Sequence, residues 1–421
     1  MTLDIGIVIA YLLVLVIMGL RGGKQVESAA DFSAGGKKYG AAVIFASLAA
    51  SYIGGGYSAG NAAESFENGI GMTVALFGFG LTTIFTGKYL VPGIARFEGV
   101  GSTGGIIARA YGRTAGILTG FFAFFCCAGV VGAQMESMGV AFHTLLGISP
   151  TAGVLLGCGI IVLYSTVGGL QSLIAADMVQ FALLAVGMPL LLILALPRAG
   201  GIGAVVEATP ASFFNPLNGT TPTGFFSLLM TMAFGEALAP PYTQRLLIGK
   251  NLRATAKGTV YSGLFSIPFF CITCLIGLVA RALAVTDTAA DAMPQLILTV
   301  LPVGVRGLVM AAMVSIMLSA ADGFLNGAAV CLVQDVLLPL HPEMSDRRQL
   351  FLLRVTNLLT GAAAVSVALL VPNVFHILIL AYSFWSPLIV VPLAAALLGV
   401  RTDRRAFGAA LLAGFLTTIL W

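Results

Sequence analysis

The sequence predicts an all-α integral membrane protein of about twelve transmembrane helices, and three observations carry that prediction. Of 421 residues, 58% are hydrophobic and only 9% charged, against about 25% charged in soluble domains. Mean hydropathy is +1.01, and apolar runs close to the length needed to cross a bilayer recur along the whole chain. Lys and Arg gather in alternate connections, as they do between successive membrane helices.

The spans follow in order, numbered from zero. Span 0 is 3–21 and span 1 is 40–66; span 2 covers 70–95, span 3 112–146, span 4 150–168 and span 5 170–196. A connection rich in Pro, Gly, Asn and Thr fills 197–223. Span 6 is 224–247, span 7 252–283, span 8 301–337, span 9 348–371, span 10 373–399 and span 11 404–421. Span 0 lacks a basic leader and a small-residue cleavage site, so it reads as a true span rather than a signal peptide. The sequence stops at Trp421 within span 11, which leaves a C-terminal continuation open. Apart from Arg198, Arg281 and Arg306, every basic residue falls in one set of alternate connections and their flanks. Positive residues stay inside, so the N-terminus is expected outside a plasma (bacterial inner) membrane.

Two spans are interrupted. In span 1, Gly54, Gly55 and Gly56 follow one another between Tyr52 and Tyr57, with Asn61 and Glu64 beyond. Glycine loses the most conformational entropy in a helix, so three in a row are a poor way to continue one. In span 6, Glu236 is followed by Pro240 and Pro241, which remove two backbone donors and deprive carbonyls near Gly235 to Ala237 of partners. Non-helical backbone at membrane depth is tolerated only where protein or a water-filled cavity surrounds it. Span 6 lies five spans after span 1. The chain therefore divides into an N-terminal extra span and loop (1–39), a first five-helix unit (40–196), the external connection (197–223), an inverted second unit (224–400) and an added C-terminal span (401–421). Interrupted first helices in both halves of such an array mark an inverted-repeat secondary transporter.

Four separated motifs carry a family resemblance over nearly the entire chain. Tyr164 to Gln180, with Gly168, Gly169 and Asp177, resembles the span 4–5 signature of the sodium:solute symporter family. Tyr242 to Lys250, with Gln244 and Arg245, resembles its span 6 exit. Leu301 to Leu308, followed by Leu318-Ser319-Ala320-Ala321-Asp322, resembles its span 8 pattern, and Asp31 to Lys37 the loop before span 1. The resemblance implies a LeuT-like five-plus-five fold with discontinuous helices 1 and 6, and sodium-driven alternating access. Span 1 is most similar to the high-affinity choline carriers, a branch expected to cage a quaternary ammonium with aromatic rings. Here Tyr52 takes one cage position, while Val130 and Ala239 stand where tryptophans would be, which counts against choline itself.

By the same resemblance, sodium is expected at carbonyls of Ala50, Ile53 and Ile316 and the hydroxyl of Ser319; Ala320 replaces a second hydroxyl. A carboxylate at bilayer depth costs roughly 3 kcal/mol or more, so it pairs, faces water or binds a cation. Asp322 lies three residues after Ser319 and shares its face. No Lys or Arg falls in the core of spans 1, 3, 5 or 8, so Asp177, Ser319 and Asp322 are expected to form a second cation site, for sodium or a proton. For the solute, Tyr52, Gly54, Gly55, Tyr57, Glu64, Gln134, Glu136, Gly235 and Glu236 are the expected binding residues. Acids without an embedded base point to a cationic, zwitterionic or neutral polar solute. The whole reads as a sodium-coupled symporter, with a proton-coupled carrier or, further off, a cation channel as alternatives. It is not an enzyme: no Ser/His/Asp or metal cluster shares one depth. Sodium is the only ion expected and no cofactor; the partners are the solute, sodium and lipid, with a monomer as the functional unit.

Other signals are discounted. Cys271 and Cys274 form one turn of an apolar helix with no second pair, so they read as small hydrophobic filling. Gly99 to Gly104 matches a dinucleotide fingerprint but follows a membrane helix rather than a strand. No basic, aromatic-interleaved patch suggests nucleic acid.

Overall fold

The computed structural model describes residues 2–24, 26–34, 36–371, 374–400 and 403–420. Pro372 between spans 9 and 10, Asn373 at the start of span 10, Arg401 in the loop before span 11, and Trp421 at its end lie outside the described residues. Among the described residues there are no strands, only one isolated parallel bridge between Tyr39 and Gly249.

Among the described residues eight helices are long and apolar enough to cross a membrane, or nine if the bent pair in span 1 counts as one. Span 0 is Thr2–Gly23, span 3 Arg113–Leu146, span 7 Leu252–Ala282, span 9 Asp346–Leu370 and span 11 Arg404–Leu420. Spans 4 and 5 run together as Pro150–Ala195, two helices joined at Gly169, whose φ of 60° departs from helical geometry. Only glycine takes that conformation cheaply, and Phe32 of the loop before span 1 packs against it, its Cα 2.9 Å from where a Cβ would stand. Span 8 continues to Leu340 through a wide turn at Cys331–Leu337. It is buried on every side from Val309 to Cys331, as expected of a helix apolar all round, and spans 0, 1, 3, 4–5 and 9 pack around it.

Some elements differ from expectation. The connection 197–223 is not structureless: it holds a helix at Gly201–Ala208 and a short 3₁₀ turn at Ala211–Phe214. A helix at Thr103–Tyr111 joins spans 2 and 3, started by the Ser102 hydroxyl, which accepts from Gly105 N–H. Short polar-flanked helices of this kind escape a reading based on span-length apolar runs.

Connections meet in two groups, one at each end of the bundle. At one end Lys250 N–H donates to Tyr39 C=O (2.9 Å), Lys37 pairs with Glu98 (3.8 Å) and Asp346 accepts from Ala29 N–H (3.2 Å). At the other, Ile70 N–H donates to Phe213 C=O (2.9 Å), Arg281 donates to Phe66 C=O (3.0 Å), and Asp4 accepts from Gly304 N–H and pairs with Arg306 (2.7 Å). The alternation of basic and non-basic connections is thus also a spatial one.

Span 7 presses on the second half of span 1 through Gly277: a Cβ there would stand 2.1 Å from the Ala62 carbonyl. Gly277→Ala is expected to cost about 1–3 kcal/mol by overpacking, seen as a lowered melting temperature of the detergent-purified protein, with Gly408→Ala, where nothing lies within 4 Å, as the neutral control.

Candidate functional site

Both expected breaks are present, and they face each other. Span 1 forms Ala41–Tyr52 and Gly56–Asn68, bent by 66°. Gly54 N–H, which would continue the ladder onto Ala50, turns to the Tyr52 carbonyl (3.1 Å), and Gly55 N–H goes to Gln134 Oε1 (2.7 Å). The glycines are where neighbouring spans come closest. A Cβ on Gly54 would meet the Gln134 amide at 3.0 Å and Ala320 at 3.1 Å; on Gly55, Ser137 at 2.7 Å; on Gly56, Leu378 at 2.7 Å.

Span 6 forms Pro222–Phe234 and Pro240–Leu247, with Leu238 between them at φ 55°. A non-glycine residue held there costs of order 1–3 kcal/mol, strain that persists only where its surroundings enforce it. They do: the Trp385 indole donates to Ala237 C=O (2.8 Å) and the Thr243 hydroxyl to Leu238 C=O (2.7 Å). A tertiary donor, Trp385, therefore engages the Ala237 carbonyl that Pro241 leaves free, and the local Thr243 hydroxyl the next one.

Between the breaks lies a narrow cavity of about 10 Å³, room for about one water molecule, lined by Tyr52, Gly54, Gly56, Tyr57, Gln134 and Glu236. Val130, Ala320, Tyr242, Phe324 and Leu378 complete much of its wall. Glu236 is 4% exposed. Tyr382 donates to its Oε1 (2.6 Å), Tyr242 to its Oε2, and Tyr57 and Tyr382 exchange a hydrogen bond (3.3 Å). Rings crowd around it: Tyr52 stands edge-on to Tyr242 (4.2 Å between centroids) and to Phe79 (5.0 Å), and Tyr57 to Phe79 (5.3 Å). Val130 and Ala239, the positions without tryptophan, are buried. The sequence reading missed Tyr242, Phe324 and Tyr382. Tyr242 opens the span 6 exit motif; Tyr382, far along the chain in span 10, had no signal.

The expected solute residues do not all converge. Glu64 and Glu136 line a different, outer cavity with Glu67 and Ser137, and Glu64 accepts from Asn68 (3.1 Å). Gly235 packs against the Tyr382 ring, 2.6 Å from a Cβ placed there.

Of the expected cation groups, Ala50, Ile53, Ile316 and Ser319 are fully buried. Ser319 donates to Asp177 Oδ1 (2.8 Å), and its oxygen keeps lone pairs for a cation. One expectation is corrected here: the acids are not without an embedded base. Arg245, counted among the loop residues, is wholly buried and pairs with Asp177 Oδ2 at 2.8 Å. Ser47 donates to the same oxygen (2.5 Å) and accepts from Arg245 Nε (2.8 Å). The proline break explains this, because it starts a short helix inside the bundle whose last turn carries the long guanidinium inward. Asp322 does not join that group: its Oδ2 accepts from Tyr164 (2.5 Å).

Two helices broken at one depth, around a cavity with a buried carboxylate, define a helical membrane carrier of the broken-helix class. Comparison narrows this. The model of the sodium:solute symporter family matches residues 32–416, and the chain belongs to that family. It is 25% identical over 400 residues to solute carrier family 5 member 4A of Mus musculus, covering 82% of this chain and 60% of that protein. It is 24% identical over 406 residues to the high affinity choline transporter 1 of Homo sapiens, covering 88% of this chain and 68% of that one. The chain thus spans about three-fifths of the mouse relative's length. The solved structure of a Na⁺-coupled sialic acid symporter, in a substrate-bound outward-open state, superposes with a TM-score of 0.82 at 16% identity, covering 100% of this chain and 98% of that one. The all-α LeuT-like fold expected from the sequence is the fold found.

Asp177→Ala would leave Arg245 buried without its partner, a loss of about 3–5 kcal/mol. Replacing both by apolar residues (Asp177→Leu with Arg245→Met) is expected to recover most of that stability in thermal unfolding, since no isolated charge remains.

Proposed function

We propose that this chain is the transport core of a sodium-coupled symporter that imports a small polar solute by alternating access, and that the solute bears a positive charge. The observation that supports it best is Glu236: a carboxylate in an aromatic-walled cavity, held by two tyrosine hydroxyls and with no Lys or Arg paired to it among the described residues. A buried carboxylate favours a cation, and ring faces attract an ammonium by about 0.5–2 kcal/mol each. Glu236, Tyr52, Tyr57, Gly54, Gly55, Gln134 and Gly235 serve as the solute site in this reading. Glu64 and Glu136 act earlier, as an acidic vestibule on the way in.

Sodium would sit at the carbonyls of Ala50, Ile53 and Ile316 with the Ser319 hydroxyl. The Ala50 carbonyl lacks its helical donor because Gly54 N–H turns away, which makes it available to an ion. A cation grouped with Asp177, Ser319 and Asp322 has to displace Arg245 from Asp177, so occupation and ion-pair opening would be coupled. The halves 40–196 and 224–400 rock about these sites, in a plasma (bacterial inner) membrane with the N-terminus outside and a monomer as the working unit. Ala320, presenting a methyl group toward Gly54, favours proton coupling as the second reading, because the sodium site has one hydroxyl fewer.

Proteoliposomes with an inward sodium gradient test this with quaternary ammonium, amino-acid and carboxylate-only solutes. Accumulation of an ammonium solute that needs sodium supports the reading; accumulation selective for a carboxylate-only solute overturns the charge argument, and uptake driven by a proton gradient alone overturns sodium coupling. Glu236→Gln is expected to weaken the solute by at least about tenfold, since a lost contact to a buried charge is worth roughly 2 kcal/mol or more. For orientation, cysteines at Thr220 and Lys250 separate the two ends: only Thr220→Cys should react with an impermeant thiol reagent added to intact cells.

A further inference from the structure

Where span 1 resumes after the glycines, its first regular residue is polar and wholly buried. A wide turn at Gly56–Gly60, in which Gly60 N–H reaches back to Gly55 C=O (2.9 Å), gives way to the helix Asn61–Asn68. Asn61 is 0% exposed. Asparagine is a poor helix former, and its amide has to be matched at membrane depth. Here both ends are matched, by two other helices. The amide nitrogen donates to Phe270 C=O (3.0 Å) and to the Thr273 hydroxyl (2.8 Å) of span 7, and Oδ1 accepts from the Thr73 hydroxyl (2.8 Å) of span 2. A carbonyl only accepts, so Phe270 fixes which end of the amide is which.

The two helices that Asn61 grips are the ones that back Tyr57. Tyr57 lies one turn earlier on span 1, and its ring stands edge-on to Phe79 of span 2 (5.3 Å between centroids) and to Phe270 of span 7 (6.1 Å). Phe270 is also the residue whose carbonyl Asn61 holds. From Tyr57 the contacts run on into the cavity: its hydroxyl shares a hydrogen bond with Tyr382 (3.3 Å), and Tyr382 donates to Glu236 (2.6 Å). The hydrogen-bonded ladder of span 1 is interrupted at the glycines, and the two halves are bent by 66°. The first half therefore does not set the direction of the second by itself. Asn61 supplies an anchor from outside the helix.

We propose that Asn61 is a positioning residue for the solute site: by fastening the second half of span 1 to spans 2 and 7, it sets where Tyr57 stands and so the shape of the cavity around Glu236. This rests on the reading that the cavity takes a solute. Asn61 does not line the cavity itself and acts through Tyr57. Spans 2 and 7 then move together with the part of span 1 that carries Tyr57.

Two measurements on the purified full chain test this. The first needs no solute: amide hydrogen exchange over residues 53–66 in the wild type and Asn61→Leu. Exchange there should quicken by about tenfold while span 8 is unchanged, as loss of a local anchor predicts; wild-type exchange in this segment overturns the proposal. The second is a double-mutant cycle on equilibrium binding of radioactive tetramethylammonium in sodium, with Asn61→Leu, Tyr57→Ala and both together. Asn61→Leu should weaken binding by about tenfold in the wild type and add little once Tyr57 is replaced, because the two act as a unit. Equal losses in both backgrounds mark a general structural role and overturn the proposal. If Asn61→Leu fails to fold, Thr273→Val, which removes one partner and keeps the shape, takes its place in both measurements. Absence of saturable tetramethylammonium binding in the wild type overturns the ammonium reading of the cavity, and the exchange measurement alone then decides for Asn61.

Discussion

Inside a bilayer every backbone N–H and C=O has to find a partner within the protein, because no water is available at that depth. The two broken helices exist under that constraint, and the rest of the arrangement follows from how they meet it. In span 1 the turned-away donors go to Tyr52 and to Gln134 of span 3. In span 6 the freed acceptors receive Trp385 of span 10 and the local Thr243. Each break thereby recruits side chains from outside its own helix. Spans 1, 3, 6 and 10 are drawn to one point, and that point is the cavity.

The buried acids illustrate how environment assigns different work to the same chemical group. Asp177 is matched by a guanidinium and two hydroxyls, a closed neutral unit. Glu236 has hydroxyl donors and, among the described residues, no Lys or Arg paired to it. Asp322 has one oxygen satisfied and one not. Paired and unpaired carboxylates differ by several kcal/mol in what they will accept next, so the same side-chain chemistry serves as a closed ion pair at Asp177 and not at Glu236.

Glycine placement supports the same picture. Gly54, Gly55 and Gly56 are less a flexible joint than three points where spans 3, 8 and 10 come too close for a side chain. Their spacing sets the width of the cavity, and the break follows from having no side chain to stabilise the helix there.

The sequence by itself determined the all-α membrane class, the order of the apolar runs, the places where spans 1 and 6 break, and the family. All of these depend on local quantities: the hydropathy of a run, a proline's missing donor, the entropy of glycine, the charge of a loop. Even Gly169, the joint between spans 4 and 5, was legible as a Gly-Gly within an apolar run. Only the tertiary structure decided which acids share a cavity. Glu64 and Glu136 are as acidic in sequence as Glu236, yet they line another space. Arg245 read as a loop residue because its depth depends on where the Pro240–Leu247 helix points. Tyr382 carried no signal at all. Contacts between residues hundreds of positions apart are set by packing angles and helix breaks, and a single sequence does not encode these position by position.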